Sequence, residues 1–199
     1  MSLLSLRQAG GGFSPRTLPR LAFLALALAG AIQAASAAWT PVKAVAAQVL
    51  LERAFEQSVI DGQPVRPWPW ADMAPLARIS VERLGESSIV LSGASGQAMA
   101  FGPTELPTRP GSGITVLAAH RDTHFAFMQD LRVGDTVTDE GVDGTRADYR
   151  IERFETVRWD EFAVPQFAPG EWLALTTCYP FDATGRSPLR RVAWARKLV

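Results

Sequence analysis

Residues 173–182, LALTTCYPFD, open as an apolar run, pass through two threonines and end on a single cysteine followed by an aromatic and a proline. Short runs rich in apolar and β-branched residues and bounded by turn formers read as strands. Cys178 therefore falls at a strand end. Outward from it the pattern repeats in ARISVERL (77–84), SSIVLSG (87–93), GITVLAAH (113–120), DTVTDE (135–140), DYRIERFETVRW (148–159) and RRVAWARKL (190–198). Several of these alternate with period two, and the breaks between them contain Gly, Pro, Asp or Ser. Seven or eight strands over this span predict a mainly β domain, a small closed barrel or a sandwich. The one internal stretch with helical spacing is HFAFMQDLRVGD (124–135), where Phe125, Met128 and Leu131 share a side ahead of a Gly134-Asp135 turn.

Upstream the chain changes character. LAFLALALAGAIQAASAA (21–38) is apolar or small apart from Gln33 and Ser36, and it follows Arg7, Arg16 and Arg20 with no intervening acid. As a helix this is just long enough to span a bilayer, and the positive-inside rule keeps the arginines cytoplasmic and sends the body across. The alternative is a cleaved signal peptide, because Ala35-Ser36-Ala37 fits a small-x-small cleavage pattern. PVKAVAAQVLLERAFEQSV (41–59) then places Val42, Val45, Ala46, Val49, Leu50 and Phe55 at helical spacings behind Pro41, a favoured first helical residue. DGQPVRPWPWADMAP (61–75) breaks all periodicity, since each proline removes a donor and restricts its predecessor. It reads as an extended strap whose Trp68 and Trp70 cover an apolar patch. The expected organisation is thus a cytoplasmic tail and membrane anchor over 1–40, an amphipathic helix and strap over 41–75, and a β domain over 76–199.

The whole chain of 199 residues has 20 basic and 20 acidic side chains, but residues 41–199 hold 17 basic against 20 acidic. A mildly acidic body without a basic, aromatic-laced stripe excludes a nucleic-acid partner. SGASGQ (92–97) is glycine-rich, yet no Gly-Lys-Ser/Thr follows, so it is expected to be a hairpin turn and not a phosphate cradle. His120 and His124, the two histidines, lie four apart in AAHRDTHF, but a zincin needs Glu where Arg121 stands, and the pair straddles a strand end. Cys178 remains. A lone cysteine is by default a small buried hydrophobe. In an exported chain, however, it has no internal disulfide partner, and an unpaired thiol there is conspicuous. Thiol chemistry on an acyl group needs a thiolate, a proton donor and positive charge or N–H groups for the oxyanion. Cys178, His120 at another strand end and the Arg190-Arg191 pair supply these.

TTCYPFD (176–182), LAAHRDTHF (117–125) and SPLRRVAWA (187–195) together resemble the sortase family of cysteine transpeptidases, in which a Thr-Cys strand end, a histidine and a downstream arginine recur. With RPWPWADMAPLARI (66–79), LSGASGQAMAFGP (91–103) and the N-terminal apolar segment, the chain is most similar to the class of Gram-negative proteobacteria, called class GN or marine proteobacterial. The likeness runs from about residue 20 to the end, with one departure: Ala119 stands where many relatives have Gly before the histidine. It implies a closed sortase-type barrel of about eight strands with short helices, behind an N-terminal membrane helix. The activity it implies is transpeptidation at a C-terminal Leu-Pro-x-Thr-Gly-like signal of an exported protein, with an amine as acceptor and no metal or organic cofactor. The family's nucleophile falls on Cys178, its histidine on His120 and its arginine on Arg190. Arg191 would face the other side of the strand. Supporting roles fall on Thr177 beside the oxyanion hole, on Asp122 as a partner of His120 or of an arginine, and on His124. The catalytic domain is expected on the periplasmic side of the inner membrane.

Overall fold

The computed structural model describes residues 17–93, 95–166 and 168–199. Arg7 and Arg16 of the N-terminal signal, and Ala94 of the glycine-rich stretch, lie outside the described residues. The chain divides between Val45 and Ala46 into two units. In the first, helix α1 (Thr17–Asp61) carries the apolar segment with Phe23, Leu24, Leu26 and Leu28 exposed. It is long and apolar enough to cross a membrane.

The second unit contains the rest of α1 and the β domain. The expected helix start at Pro41 is corrected, since Pro41 lies inside α1. A proline interrupts one backbone hydrogen bond but need not end a helix flanked by strong formers such as Ala, Leu and Lys. The expected apolar face is corrected as well. Val49 and Leu50 are exposed, whereas Ala47, Leu51, Ala54, Phe55 and Ser58 are buried. The segment has more apolar residues than one face can hold, and contact with the barrel selects among them. Leu51 and Phe55 pack with Met73, Ile89, Leu91, Ala98 and Val142. Trp68 of the strap closes this cluster, edge to face with Phe101 at 5.3 Å, but Trp70 points to solvent at 80% exposure.

Eight strands follow: β1 (Pro75–Val81), β2 (Glu86–Leu91), β3 (Thr104–Leu106), β4 (Ile114–Ala118), β5 (Thr136–Gly141), β6 (Arg146–Arg158), β7 (Trp172–Tyr179) and β8 (Leu189–Lys197). They close into a barrel in the order β1-β2-β3-β4-β7-β8-β6-β5. β2 with β3 and β4 with β7 run parallel, and the remaining neighbours are antiparallel. A closed barrel leaves no sheet edge to pair with another chain. The expected hairpin over 92–97 is corrected. A parallel partner cannot be reached by a tight turn, so the chain crosses over through α2 (Gly96–Met99), whose first turn is capped by Ser95 Oγ accepting from the Ala98 N–H at 3.1 Å. Gly102 lets the crossover return against β2, because a Cβ there would sit 2.5 Å from the Ile89 carbonyl oxygen.

Strand alternation distributes the core. Leu173 and Leu175 of β7 point into the barrel with Ile79, Leu117, Phe125, Val137 and Ile151. Ala174 faces outward into a second cluster with Ile114, Val116, Val192 and Trp194, roofed by Phe162, Val164 and Ala168 of the β6–β7 connection. The same period of two puts Thr177 on the inner face of β7 and Thr176 and Cys178 on the outer one. HFAFMQDLRVGD forms a single 3-10 turn, Ala126–Gln129, with Phe127 and Met128 buried.

Candidate active site

Because β4 and β7 are parallel, their C-terminal ends emerge at one rim of the barrel. Cys178 is the penultimate residue of β7, and His120 follows β4 by two residues. β8 runs back from the same rim, and its register sets Arg190 opposite Cys178. Three chain-distant groups are thereby gathered. A cavity of about 390 Å³ is lined by Cys178, His120 and Arg190, with Met99, Leu106, Trp159 and Phe162 supplying an apolar wall. A second cavity of about 530 Å³ shares Cys178, Arg190 and Trp159 and adds Arg186, Ser187 and Pro188. The thiol lies where the two meet.

Hydrogen bonds fix the backbone around these groups. The Ala119 N–H donates to the Thr176 carbonyl at 3.3 Å, and the Thr177 hydroxyl donates to the Ala119 carbonyl at 2.7 Å. The residues just before the histidine and just before the cysteine are thus tied together. The Thr177 side chain is 2% exposed and committed to this bond, so it acts on the backbone of the site. The His120 carbonyl accepts from the Phe125 N–H at 3.0 Å, which starts the turn out of β4.

Arg190 is half-buried, and its Nη1 donates to the carbonyls of Ser187 and Leu189 at 3.1 and 2.9 Å. Arg191 lies on the other side of β8. Its guanidinium sits 4.6 Å from the Phe154 ring and 5.9 Å from the Tyr179 ring, and it donates to Thr156 Oγ1 at 3.2 Å. Asp122 pairs with an arginine: Arg121 Nε donates to its Oδ1 at 3.0 Å while the carboxylate stays largely in solvent. His124 is half-buried, and burial holds its imidazole below the usual range, with the charge of His120 adding to the effect and a hydrogen bond to the Ala100 backbone opposing it.

Nothing in the sequence marks Trp159, which lines both cavities, or the second cavity itself. Arg121 stands out in the sequence only as the residue that spoils a zinc motif. The arginine is 9% exposed and donates to three carbonyls of the β7–β8 connection. No local pattern announces partners that are backbone carbonyls some sixty residues away.

A thiol, an imidazole and a guanidinium on one rim of a closed barrel make up the donor set of cysteine-dependent acyl transfer. The chain belongs to the sortase family of cysteine transpeptidases, the Sortase domain matching residues 79–198. No curated protein matches it. Solved structures of the same fold include sortase C1 of Streptococcus agalactiae in complex with MTSET (17% identity, TM-score 0.53, covering 63% of this chain and 68% of that one). Sortase A of Corynebacterium diphtheriae is similar at 18% identity and TM-score 0.57, covering 65% and 63% of the two chains. Sortase C-1 of Actinomyces oris is similar at 21% identity and TM-score 0.55, covering 63% and 75%.

Proposed function

We propose that this protein is a membrane-tethered transpeptidase that cuts a Leu-Pro-x-Thr-Gly-like signal near the C-terminus of an exported protein and transfers the new carbonyl end to an amine. The observation that carries this reading is the shared cavity of Cys178, His120 and Arg190. The Cys178 sulfur attacks the Thr carbonyl, His120 gives a proton to the departing amine as the C–N bond breaks, and a thioester remains. The incoming amine attacks that thioester, His120 takes its proton, and the C–S bond breaks to restore the thiolate. Arg190 stabilises the oxyanion in both steps, a contribution that depends on a donor already in place when the charge develops. The chemistry calls on no metal or organic cofactor.

The second cavity favours transfer to an amine over simple hydrolysis, because two substrates that meet at one thiol need two approaches to it. α1 is the proposed tether, with the arginines cytoplasmic and the barrel on the periplasmic side of the inner membrane of a Gram-negative cell. Incubating the protein with peptides ending in Leu-Pro-x-Thr-Gly and weighing it intact tests the reading. The expected result is an adduct on Cys178 that is discharged faster as an added amine is raised. Hydrolysis indifferent to amine concentration would instead make it a peptidase.

A further inference from the structure

Arg121 adjoins His120 in sequence and is the one buried arginine among the described residues. Its guanidinium commits four of its five N–H groups: Nε to Asp122 Oδ1 at 3.0 Å, Nη1 to the Pro180 carbonyl at 2.9 Å, and Nη2 to the carbonyls of Ala183 and Gly185, the latter at 2.8 Å. Those three carbonyls belong to the connection that leaves β7 just beyond Cys178 and returns as β8. Its later residues, Arg186, Ser187 and Pro188, wall the second cavity, and the carbonyls of Ser187 and Leu189 hold the Arg190 guanidinium. An unbroken set of contacts therefore runs from the residue after His120, through the β7–β8 connection, to Arg190. An apolar side chain would fill the Arg121 site without the cost of desolvating a cation. What a planar fork adds is a fixed arrangement of three separate carbonyls.

We propose that Arg121 is a positioning residue. It clamps the β7–β8 connection so that Arg190 and the Arg186–Pro188 wall stay beside Cys178, an inference that rests on the transpeptidase reading for the purpose of the clamp but not for its existence. His120 and Arg121 then divide the work of one dipeptide: the first lines the cavity that holds the thiol, the second holds the segment that brings the cation to it.

Cys178 is the only thiol of the chain, which allows a test on the full-length protein without any acyl donor. Two methanethiosulfonates are used, one anionic (sulfonatoethyl) and one cationic (trimethylammonioethyl). In each, the Cys178 thiolate attacks the sulfenyl sulfur, methanesulfinate leaves with the bonding pair, and a mixed disulfide forms. The readout is the ratio of the two rate constants. Arg190→Met is expected to lower the anionic-to-cationic ratio about tenfold, about threefold for each reagent in opposite senses, as befits one nearby unit charge in a watery setting. Arg121→Lys keeps the buried charge but loses the fork, and it is expected to lower the ratio by at least about threefold in the wild-type background. In an Arg190→Met background it is expected to lower the ratio clearly less, because Arg186 is then the only cation the clamp holds beside the thiol. An unchanged ratio in folded Arg121→Lys, or an equal fall in both backgrounds, overturns the proposal. Arg121→Gln, read in the same two backgrounds, decides the question if the lysine variant does not fold. A residue that merely stabilised the barrel would lower the melting temperature and leave the ratio alone. Should sorting peptides form no thioester, the transpeptidase reading fails while this result stands.

Discussion

The hydroxyl of Thr177 donates to the carbonyl of Ala119 at 2.7 Å across the β4–β7 seam, so the residues preceding the thiol and the imidazole are joined by one buried bond. Thr177→Val keeps the shape and removes the donor. Leaving the carbonyl unpaired is expected to cost about 1 to 2 kcal/mol in urea unfolding. Turnover is expected to fall about tenfold or more, since small displacements of reacting groups are expensive. Steady-state rates on the folded variant check this, and an unchanged rate would assign Thr177 to stability alone.

Arg190 and Arg191 are neighbours with opposite surroundings, one in both cavities and the other stacked on Phe154. Arg190→Met is expected to lower turnover about 100-fold, the scale of losing an oxyanion donor, with little change in stability. Arg191→Met is expected to leave turnover nearly intact and to cost about 0.5 to 1 kcal/mol of folding free energy from the lost cation–aromatic contact. The reverse pattern would reassign the catalytic arginine.

Cys178→Ala separates an enzyme from a binding module. The barrel is expected to melt as the wild type does, and both the thioester mass and product formation are expected to vanish. Product formed by the alanine variant would remove the cysteine from the mechanism.

Asp139 on β5 is pushed up to about 6, by burial first and by Glu105 and Asp143 in addition, and its Oδ1 is a buried oxygen with no hydrogen-bond partner among the described residues. Because the folded barrel holds this proton more tightly than the unfolded chain, the penalty is absent below about pH 4, the ordinary carboxylate range. It grows as pH rises through the interval up to about 6 and is complete above it. Asp139→Asn is therefore expected to stabilise the barrel at pH 7.5 by about 1 to 2 kcal/mol, after allowing for partial exposure, and by much less at pH 4.5. Urea titrations at the two pH values measure the difference, and equal effects at both would refute it.

Phe55 anchors the end of α1 in the second unit, 4% exposed and with the Arg78 guanidinium 4.4 Å from its ring. Phe55→Ala is expected to cost about 3 kcal/mol, whereas Val49→Ala, on the exposed side, is expected to cost little. Thermal melts of the two variants distinguish the faces.

Strands with apolar alternation were legible in the sequence because burial on one face imposes period two. β3 was not: Thr104–Leu106 is three residues long, too short to show a period. The crossover through α2 looked like a hairpin because serine and glycine serve both, and only the parallel partner distinguishes them. The helix face was misread where apolar residues exceed the surface available to cover them. In the candidate site, Cys178, His120 and Arg190 stood out in the sequence because the chemistry expected of them is carried by residue type, and the fold brings them to one cavity. Thr177 and Arg121 act through carbonyl groups, which every residue has, so their partners leave no mark in the sequence.

The placement of Cys178 near the end of a strand flanked on both sides has a mechanical consequence. On the proposed mechanism a substrate is held on Cys178 as a thioester, and any pull on its chain then enters the barrel at β7. A pull directed out of the rim along the strand axis sets β7 sliding against β4 on one side and β8 on the other, along paired registers of five and eight residues. The load then falls on many hydrogen bonds at once, as in shear, and the barrel resists it as a bolt resists extraction from a tight sleeve.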